Sequence, residues 1–142
     1  MPAYSCRITT DPASEKTTKV KIKGDYLTKV IIRFPPGPQA LLHVKIFYGD
    51  MQIFPEDPDT DFADDDLAIE WEEFWKLPES ETVLTIWTKN EDDTYEHTVH
   101  IYLFTRYEKE LLSKQIADAI SKKIGGIFKL IGSVMGRRTR WR

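Results

Sequence analysis

Six aspartates within ten positions form the group of residues in this chain best suited to bind a cation. They are Asp57, Asp59, Asp61, Asp64, Asp65 and Asp66. Calcium binds where several carboxylate oxygens converge from one loop. The EF-hand pattern needs glycine at its sixth position and glutamate at its twelfth, but Phe62 and Ala68 occupy these positions counted from Asp57. We therefore expect a solvated acidic loop or a docking surface for a basic partner, rather than a metal site.

The aromatic cluster of Trp71, Phe74 and Trp75 is a second group with binding potential. Aromatic rings can stack on sugars or nucleobases. Trp71 and Trp75 share a face on a strand and also on a helix. The sequence therefore favours packing in the core or against another subunit, with the neighbouring glutamates pointing outward. Ligand stacking is the alternative.

Catalysis needs groups that this sequence does not combine. His43, His97, His100 and the single Cys6 form no local Ser-His-Asp or Cys-His set. His97 and His100 are three positions apart, which places them on opposite faces of a strand. The sequence has no glycine-rich phosphate loop, and no catalytic pair can be singled out among its 23 acidic residues. The sequence predicts a protein that is not an enzyme and holds no metal or cofactor.

The C-terminal part of the chain carries an apolar stripe. It includes Ile116, Ile120, Ile124, Ile127 and Ile131. Spacings of three and four residues predict an amphipathic helix over residues 106–136. Two adjacent glycines, Gly125 and Gly126, cost about 2 kcal/mol of helix propensity relative to alanine. We therefore expect a kink, a close contact with another helix or a break there.

A basic tail over residues 137–142 follows this helix. Its bases are Arg137, Arg138, Arg140 and Arg142. Arginines can neutralise phosphates, so a weak, salt-sensitive contact with nucleic acid is one interpretation of the tail. Docking on an acidic protein surface is another. The helix before the tail, basic on one face and apolar on the other over residues 116–136, also fits an amphipathic helix that lies on a membrane surface.

Charge is distributed in two opposed blocks. Residues 50–81 hold thirteen acidic residues and one lysine, a net charge of −12, whereas residues 105–142 hold ten basic and three acidic residues, a net charge of +7. Such fields steer association between molecules. Copies of this chain can therefore attract one another.

Alternation with a period of two residues dominates residues 1–105. Strand candidates cover 19–23, 30–34, 41–48, 51–54, 67–72, 83–88 and 95–105, separated by turn residues at 35–38, 49–50 and 90–94. In the last candidate, Val99, Ile101 and Leu103 share one face. Short strands at this spacing predict a mainly β protein, an antiparallel β-sandwich or jelly-roll-like domain over 1–105 with a C-terminal amphipathic α-helix.

Composition limits the class of protein. A chain of 142 residues with 41% hydrophobic residues has enough apolar material for one core. We see no secretory signal at the N-terminus. The most apolar stretch, residues 124–136, is shorter than the roughly 20 residues that span a bilayer. We expect a soluble or surface-bound protein.

The middle of the chain resembles small all-β proteins encoded in viral and phage structural gene regions. The similarity rests on the order of strands and turns in 34–38, 41–46, 52–55 and 90–97, and it covers about residues 30–104. It implies a β-sandwich that repeats around a particle, neck or tail. Terminal extensions would then make the contacts between subunits.

The leading hypothesis from these observations is a non-enzymatic structural or assembly protein, a capsid, neck or tail component of a virion. Its helix, basic tail and acidic run are expected to contact other copies or other structural subunits. The alternative is a peripheral membrane-binding module that uses the C-terminal helix.

Overall fold

The structure is a computed structural model that describes the backbone of residues 2–139 and the side chains of residues 2–125. The chain divides into two compact units, Met1–Tyr107 and Glu108–Arg142. Among the described residues, the first unit contains every strand and the second contains one helix.

Eight strands build the first unit. They are β1 (Ala3–Thr10), β2 (Ser14–Lys23), β3 (Tyr26–Phe34), β4 (Leu42–Tyr48), β5 (Met51–Phe54), β6 (Leu67–Lys76), β7 (Glu81–Asn90) and β8 (His97–Arg106). Turn residues separate them as the sequence predicts: the proline-rich segment 35–38 follows β3, and Gly49 and Asp50 join β4 to β5. Proline lacks the N–H that a ladder needs, and Gly49 takes a φ of 58°, which glycine adopts without steric cost.

The strands form two four-stranded sheets with the orders β1-β8-β3-β6 and β2-β7-β4-β5. Within each sheet, every pair of neighbouring strands is antiparallel. The first strand pairs with the last, the second with the seventh, the third with the sixth and the fourth with the fifth. This nested pairing is the connectivity of an eight-stranded jelly roll. The predicted fold class, an antiparallel sandwich with a C-terminal helix, is confirmed.

The core lies between the inner faces of the two sheets. Along β8, Val99, Ile101 and Leu103 are fully buried, and the residues between them are half-buried. Side chains alternate between the faces of a strand, so a period of two selects the buried set. Burying one such side chain stabilises the fold by about 1.5–3 kcal/mol relative to leaving it exposed. The predicted inner face of the last strand is confirmed.

The second unit is a single helix, α1 (Glu108–Thr139), with Glu108 and Glu110 in its first turn. Acidic residues there complement the positive end of the helix dipole. The backbone is helical through Gly125 and Gly126, where a break was one of the outcomes expected from the sequence. Glycine weakens a helix by only about 1 kcal/mol per residue, and helical turns on both sides keep the hydrogen-bond ladder continuous. In the part of the chain that the structure describes, no helix is both long enough and apolar enough to cross a membrane.

Candidate binding cleft and acidic loop

A cleft of about 470 Å³ lies where the edge strands of the two sheets meet. We call it the edge cleft. Strand β5 is the edge of one sheet and β6 is the edge of the other, and both contribute side chains to it. β5 has only four residues, whereas β6 has ten. Because the shorter strand covers only part of the longer one, the inner face of β6 stays partly open.

Alternation along β6 decides which side chains enter the edge cleft. Trp71, Glu73 and Trp75 are half-buried and line it, whereas Glu72 and Phe74 are exposed. Trp71 and Trp75 pack against the core, as the sequence predicts. The expectation that the glutamates point outward is correct for Glu72 and wrong for Glu73. Residues 71, 73 and 75 share one face because a strand repeats every two residues.

Aromatic rings form the walls of the edge cleft around Trp71. Its ring centroid lies 5.4 Å from that of Phe54 at an interplanar angle of 68°, and 5.3 Å from that of Phe62 at 32°. Trp75 contacts Tyr48 edge-on, with 6.0 Å between ring centroids. These distances fall in the range in which aromatic pairs attract each other. The walls are therefore held by mutual packing.

Phe74 lies on the outer face of β6 and is 66% exposed. Its ring stacks on Tyr26 of β3, with centroids 4.4 Å apart and an interplanar angle of 18°. This pair joins two neighbouring strands on the surface of the sheet. Of the predicted aromatic cluster, Trp71 and Trp75 therefore pack against the core and line the edge cleft, whereas Phe74 lies on the outer surface.

The segment 55–66 between β5 and β6 borders the edge cleft, and we call it the acidic loop. Its Phe62 exchanges two backbone hydrogen bonds with Val44, of 2.8 and 3.0 Å, and so extends the sheet edge beyond the end of β5. The side-chain amide of Gln52 donates to the carbonyls of Pro55, Asp57 and Thr60 at 2.8 to 3.1 Å. These contacts fix the loop to the sheet beside it.

The aspartates predicted to bind a partner all lie in the acidic loop, and several of them make contacts within the fold. Asp65 Oδ1 accepts hydrogen bonds from the backbone N–H groups of Gln39 and Gly37 at 3.0 and 2.8 Å. These two bonds lower the pKa of Asp65 below its usual value. Asp65 therefore ties the acidic loop to the loop after β3.

Three further aspartates of the acidic loop also have contacts inside the first unit. Asp57 Oδ1 accepts from the backbone N–H of Asp59 at 3.0 Å, and Asp64 Oδ1 accepts from that of Asp65 at 3.0 Å. Asp61 Oδ2 lies 3.0 Å from Nδ1 of His43. Among the residues described, the side chains of Asp59 and Asp66 make no hydrogen bond or ion pair. These two exposed carboxylates are the ones left available for a partner.

Within the described part of the chain, no group of three or more His, Cys, Asp or Glu side chains is placed to hold a metal ion. His43 contacts Asp61 and also lies 3.2 Å from Glu91 through Nε2. Cys6 is half-buried, and this burial raises the pKa of its thiol, which favours the unreactive protonated form.

The predicted stripe on α1 is present for the part whose side chains are described. Ile116, Ile120 and Ile124 are 59%, 51% and 46% exposed. Ile127, Ile131, Arg137 and Arg138 belong to the helix by their backbone, but their side chains lie outside the described residues. Arg140 and Arg142 lie outside them altogether. Contact of the tail with nucleic acid stays a prediction.

Sequence reasoning did not predict the edge cleft, which combines residues from three segments. Phe54 ends β5, Phe62 is in the acidic loop, and Glu73 lies between two tryptophans of β6. The local signal was the spacing of 71, 73 and 75, which places a carboxylate on the face that carries both tryptophans. No comparable pattern in the sequence indicates which strands pair with β5 and β6.

Comparison with known proteins finds no family model and no curated protein that matches the sequence. Among solved structures, PirA matches with a TM-score of 0.42 and 13% identity over 71% of this chain and 94% of its own. FLHE matches with a TM-score of 0.41 and 12% identity over 75% and 97%. The Yersinia pseudotuberculosis-derived mitogen matches with a TM-score of 0.42 and 9% identity over 73% and 86%. None of these three names mentions a virus or phage.

Proposed function

We propose that this chain is a non-enzymatic structural protein whose C-terminal helix joins it to other copies of itself. The exposed apolar stripe of α1 carries this proposal. Leu112, Ile116, Ile120 and Ile124 are each about half exposed, between 46% and 59%. An apolar stripe on a helix normally packs against another element, and a contiguous exposed one marks an interaction site.

The spacing of the apolar residues in the stripe supports a second copy of α1 as its binding partner. From Leu112 to Val134 the apolar positions are separated by four, four, four, three, four and three residues. The step averages about 3.67 residues, close to the 3.6 residues of one helical turn, so the apolar positions stay on one side of the helix. A second copy of α1 offers the same stripe.

Charge supports association between copies as well. The acidic block at 50–81 carries −12 and the block at 105–142 carries +7. Surface ion pairs contribute only about 0 to 1 kcal/mol each and are screened over roughly 8 Å at physiological ionic strength. Charge would therefore steer the encounter, and the apolar stripe would supply most of the affinity.

Light scattering coupled to size-exclusion chromatography tests the proposal. The full chain is expected to elute as an oligomer, and the double substitution Ile116→Ser with Ile120→Ser is expected to shift it towards monomer. Lys114→Ser with Asp118→Ser, on the opposite face of the helix, is the matched control and should leave the mass unchanged. A monomer at every salt and protein concentration would overturn the proposal.

Charge reversal tests the electrostatic part. Arg137→Glu with Arg138→Glu should weaken assembly at low salt, and adding Asp59→Lys with Asp66→Lys should partly restore it. Asp59 and Asp66 are chosen because, among the described residues, their side chains hold no other part of the fold, unlike Asp65. If the combined variant assembles no better than the first, the two segments do not meet.

The finer proposal, a capsid, neck or tail component of a virion, rests on the similarity of residues 30–104 to small all-β proteins of viral structural gene regions. An eight-stranded sandwich with a terminal extension suits repetition around a particle. Neighbouring genes for capsid, portal or tail proteins would support it. A gene neighbourhood without any such gene would count against it.

Binding to a membrane surface is the second candidate function, because the chain has no acidic residue after Asp118 while Lys122, Lys123 and Lys129 lie near its apolar stripe. Basic amphipathic helices bind anionic lipid surfaces. Flotation with vesicles containing phosphatidylglycerol separates the two functions. Binding that requires residues 108–142 would favour the membrane, and failure to float would exclude it.

A further inference from the structure

Glu73 is the feature of the edge cleft that the assembly function leaves unexplained. Its side chain is half-buried between Trp71 and Trp75 on the inner face of β6. Among the described residues, none forms a hydrogen bond or ion pair with it. Its carboxylate oxygens are not among the buried atoms that lack a hydrogen-bond partner, so they are open to water and to a cation that enters the edge cleft.

The lining of the edge cleft favours positive charge. Glu56 and Glu73 line it, and none of the other described residues that line it is basic. The aromatic walls add to this effect, since the face of an aromatic ring carries negative charge density and attracts cations within about 6 Å of its centroid. Trp71 and Trp75 are the strongest type of ring for this interaction.

The spacing along β6 leaves room for a cation between the two indoles. With a rise of about 3.3 Å per residue, Trp71 and Trp75 are each roughly 7 Å from Glu73 along the strand. The cleft volume of about 470 Å³ lies in the range of small-molecule sites, about 300–1,000 Å³. A bulky organic cation placed over Glu73 can therefore reach both rings.

We propose that the edge cleft binds a small quaternary ammonium compound of the choline type. The trimethylammonium group would lie over Glu73 and contact Trp71 and Trp75. Alkylated ammonium groups suit such a site because they are weakly hydrated and pack against aromatic faces. The proposal is independent of assembly through α1, since every residue involved belongs to the first unit.

A metal ion fits the edge cleft less well. Hard cations need several oxygen ligands at about 2.0 to 2.6 Å, and the described residues contain no acidic or histidine cluster placed to supply them. Aromatic walls cannot replace the water that such an ion would lose. A bulky organic cation needs the two features that the cleft combines, aromatic faces and one carboxylate.

Isothermal titration calorimetry of the full chain with choline tests the proposal. The control ligand is 3,3-dimethylbutan-1-ol, which has the shape of choline but carries no charge. Choline is expected to bind at least about tenfold more tightly, since the extra attraction is electrostatic. Equal binding of both compounds, or no saturable binding of choline below about 10 mM, would overturn the proposal.

Two substitutions on neighbouring positions of β6 locate the site. Glu73→Gln should raise the Kd for choline about tenfold or more, whereas Glu72→Gln, on the outer face, should change it less than about twofold. Circular dichroism and thermal unfolding check that both variants fold. Glu73→Lys provides a second test, because an ammonium tethered in the cleft should abolish binding. Unchanged affinity in both Glu73 variants would exclude this location.

Discussion

Single polar side chains secure the turn that leads into β8. Asn90 is 1% exposed, and its Nδ2 donates to two backbone carbonyls, one in β1 and one just before β8, at 3.1 and 2.9 Å. Asp92 accepts from the backbone N–H of Thr94 at 2.9 Å and lies 2.8 Å from His97 Nε2. A buried polar group without a hydrogen-bond partner is costly. The turn is therefore held in a conformation in which the buried Asn90 amide makes both bonds.

Asp92→Asn is expected to lower stability in a pH-dependent way. The backbone N–H of Thr94 and then the side chain of His97 lower the pKa of Asp92. A carboxylate with a lowered folded pKa contributes stability above its unfolded pKa of about 3.9, and the contribution disappears as pH falls through the folded value. Urea unfolding should therefore show the largest loss near pH 7 and a progressively smaller loss as pH falls below about 3.9.

Asp11→Asn is the matched control for this prediction. Asp11 is an exposed aspartate in the turn after β1, and its side chain makes no hydrogen bond or ion pair with the described residues. Its substitution should leave the urea midpoint nearly unchanged at every pH. If Asp92→Asn lowers the midpoint equally at pH 7 and pH 3, ionisation of Asp92 does not contribute to stability.

At the scale of the strands, the two faces of one sheet contribute unequally to stability. Ile101 lies at the centre of β8, is fully buried and stands in register with Cys6 of β1 and Ile32 of β3. Phe74 lies on the outer face of the edge strand β6 and is mostly exposed. Size of side chain is therefore a poor guide to energetic importance in this sheet, and burial is a better one.

Ile101→Ala is expected to cost about 2–5 kcal/mol of unfolding free energy, because the lost contacts leave a cavity that the neighbouring strands cannot fill. Phe74→Ala removes a larger side chain but should cost about 1 kcal/mol or less, the range of a surface pair across strands. Chemical denaturation of both variants measures the difference. A larger loss for Phe74→Ala would mean that the stack on Tyr26 outweighs core packing.

At the scale of the whole molecule, the first unit is one long hairpin folded on itself. Its turn is Gly49-Asp50, and the pairings nest outward until Ala3 stands opposite Phe104. Among the residues whose side chains are described, the buried hydrophobic residues of the core run from Ile8 to Leu103 and belong to this unit. Each outer pairing joins residues far apart in the chain, and folds dominated by such non-local pairings fold more slowly than helical ones.

Removal of residues 108–142 is expected to leave the stability of the first unit within about 1 kcal/mol of that of the full chain under conditions in which both are monomeric. The reason is that the core and both sheets precede Glu108. Thermal unfolding at low protein concentration compares the two. A truncated chain that fails to fold would show that the helix supplies part of the core.

The sequence alone determined which face of the last strand is buried. In β8 the period of two residues separates Val99, Ile101 and Leu103 from the residues between them, and no distant contact is needed to see it. The amphipathic helix was predicted in the same way from its spacing. These features are local, because the chemistry of one segment decides them whatever that segment pairs with.

Tertiary structure alone decided the strand partners, the edge cleft and the roles of the acidic residues. Asp65 and Asp59 look alike in the sequence, but only Asp65 meets Gly37 and Gln39, more than twenty positions away. Glu73 gained its setting because β5 is short and leaves the inner face of β6 partly open. Such contacts depend on how the two sheets bury their inner faces together. A local pattern can indicate the inner face of a strand, but it does not identify the strand that pairs with it.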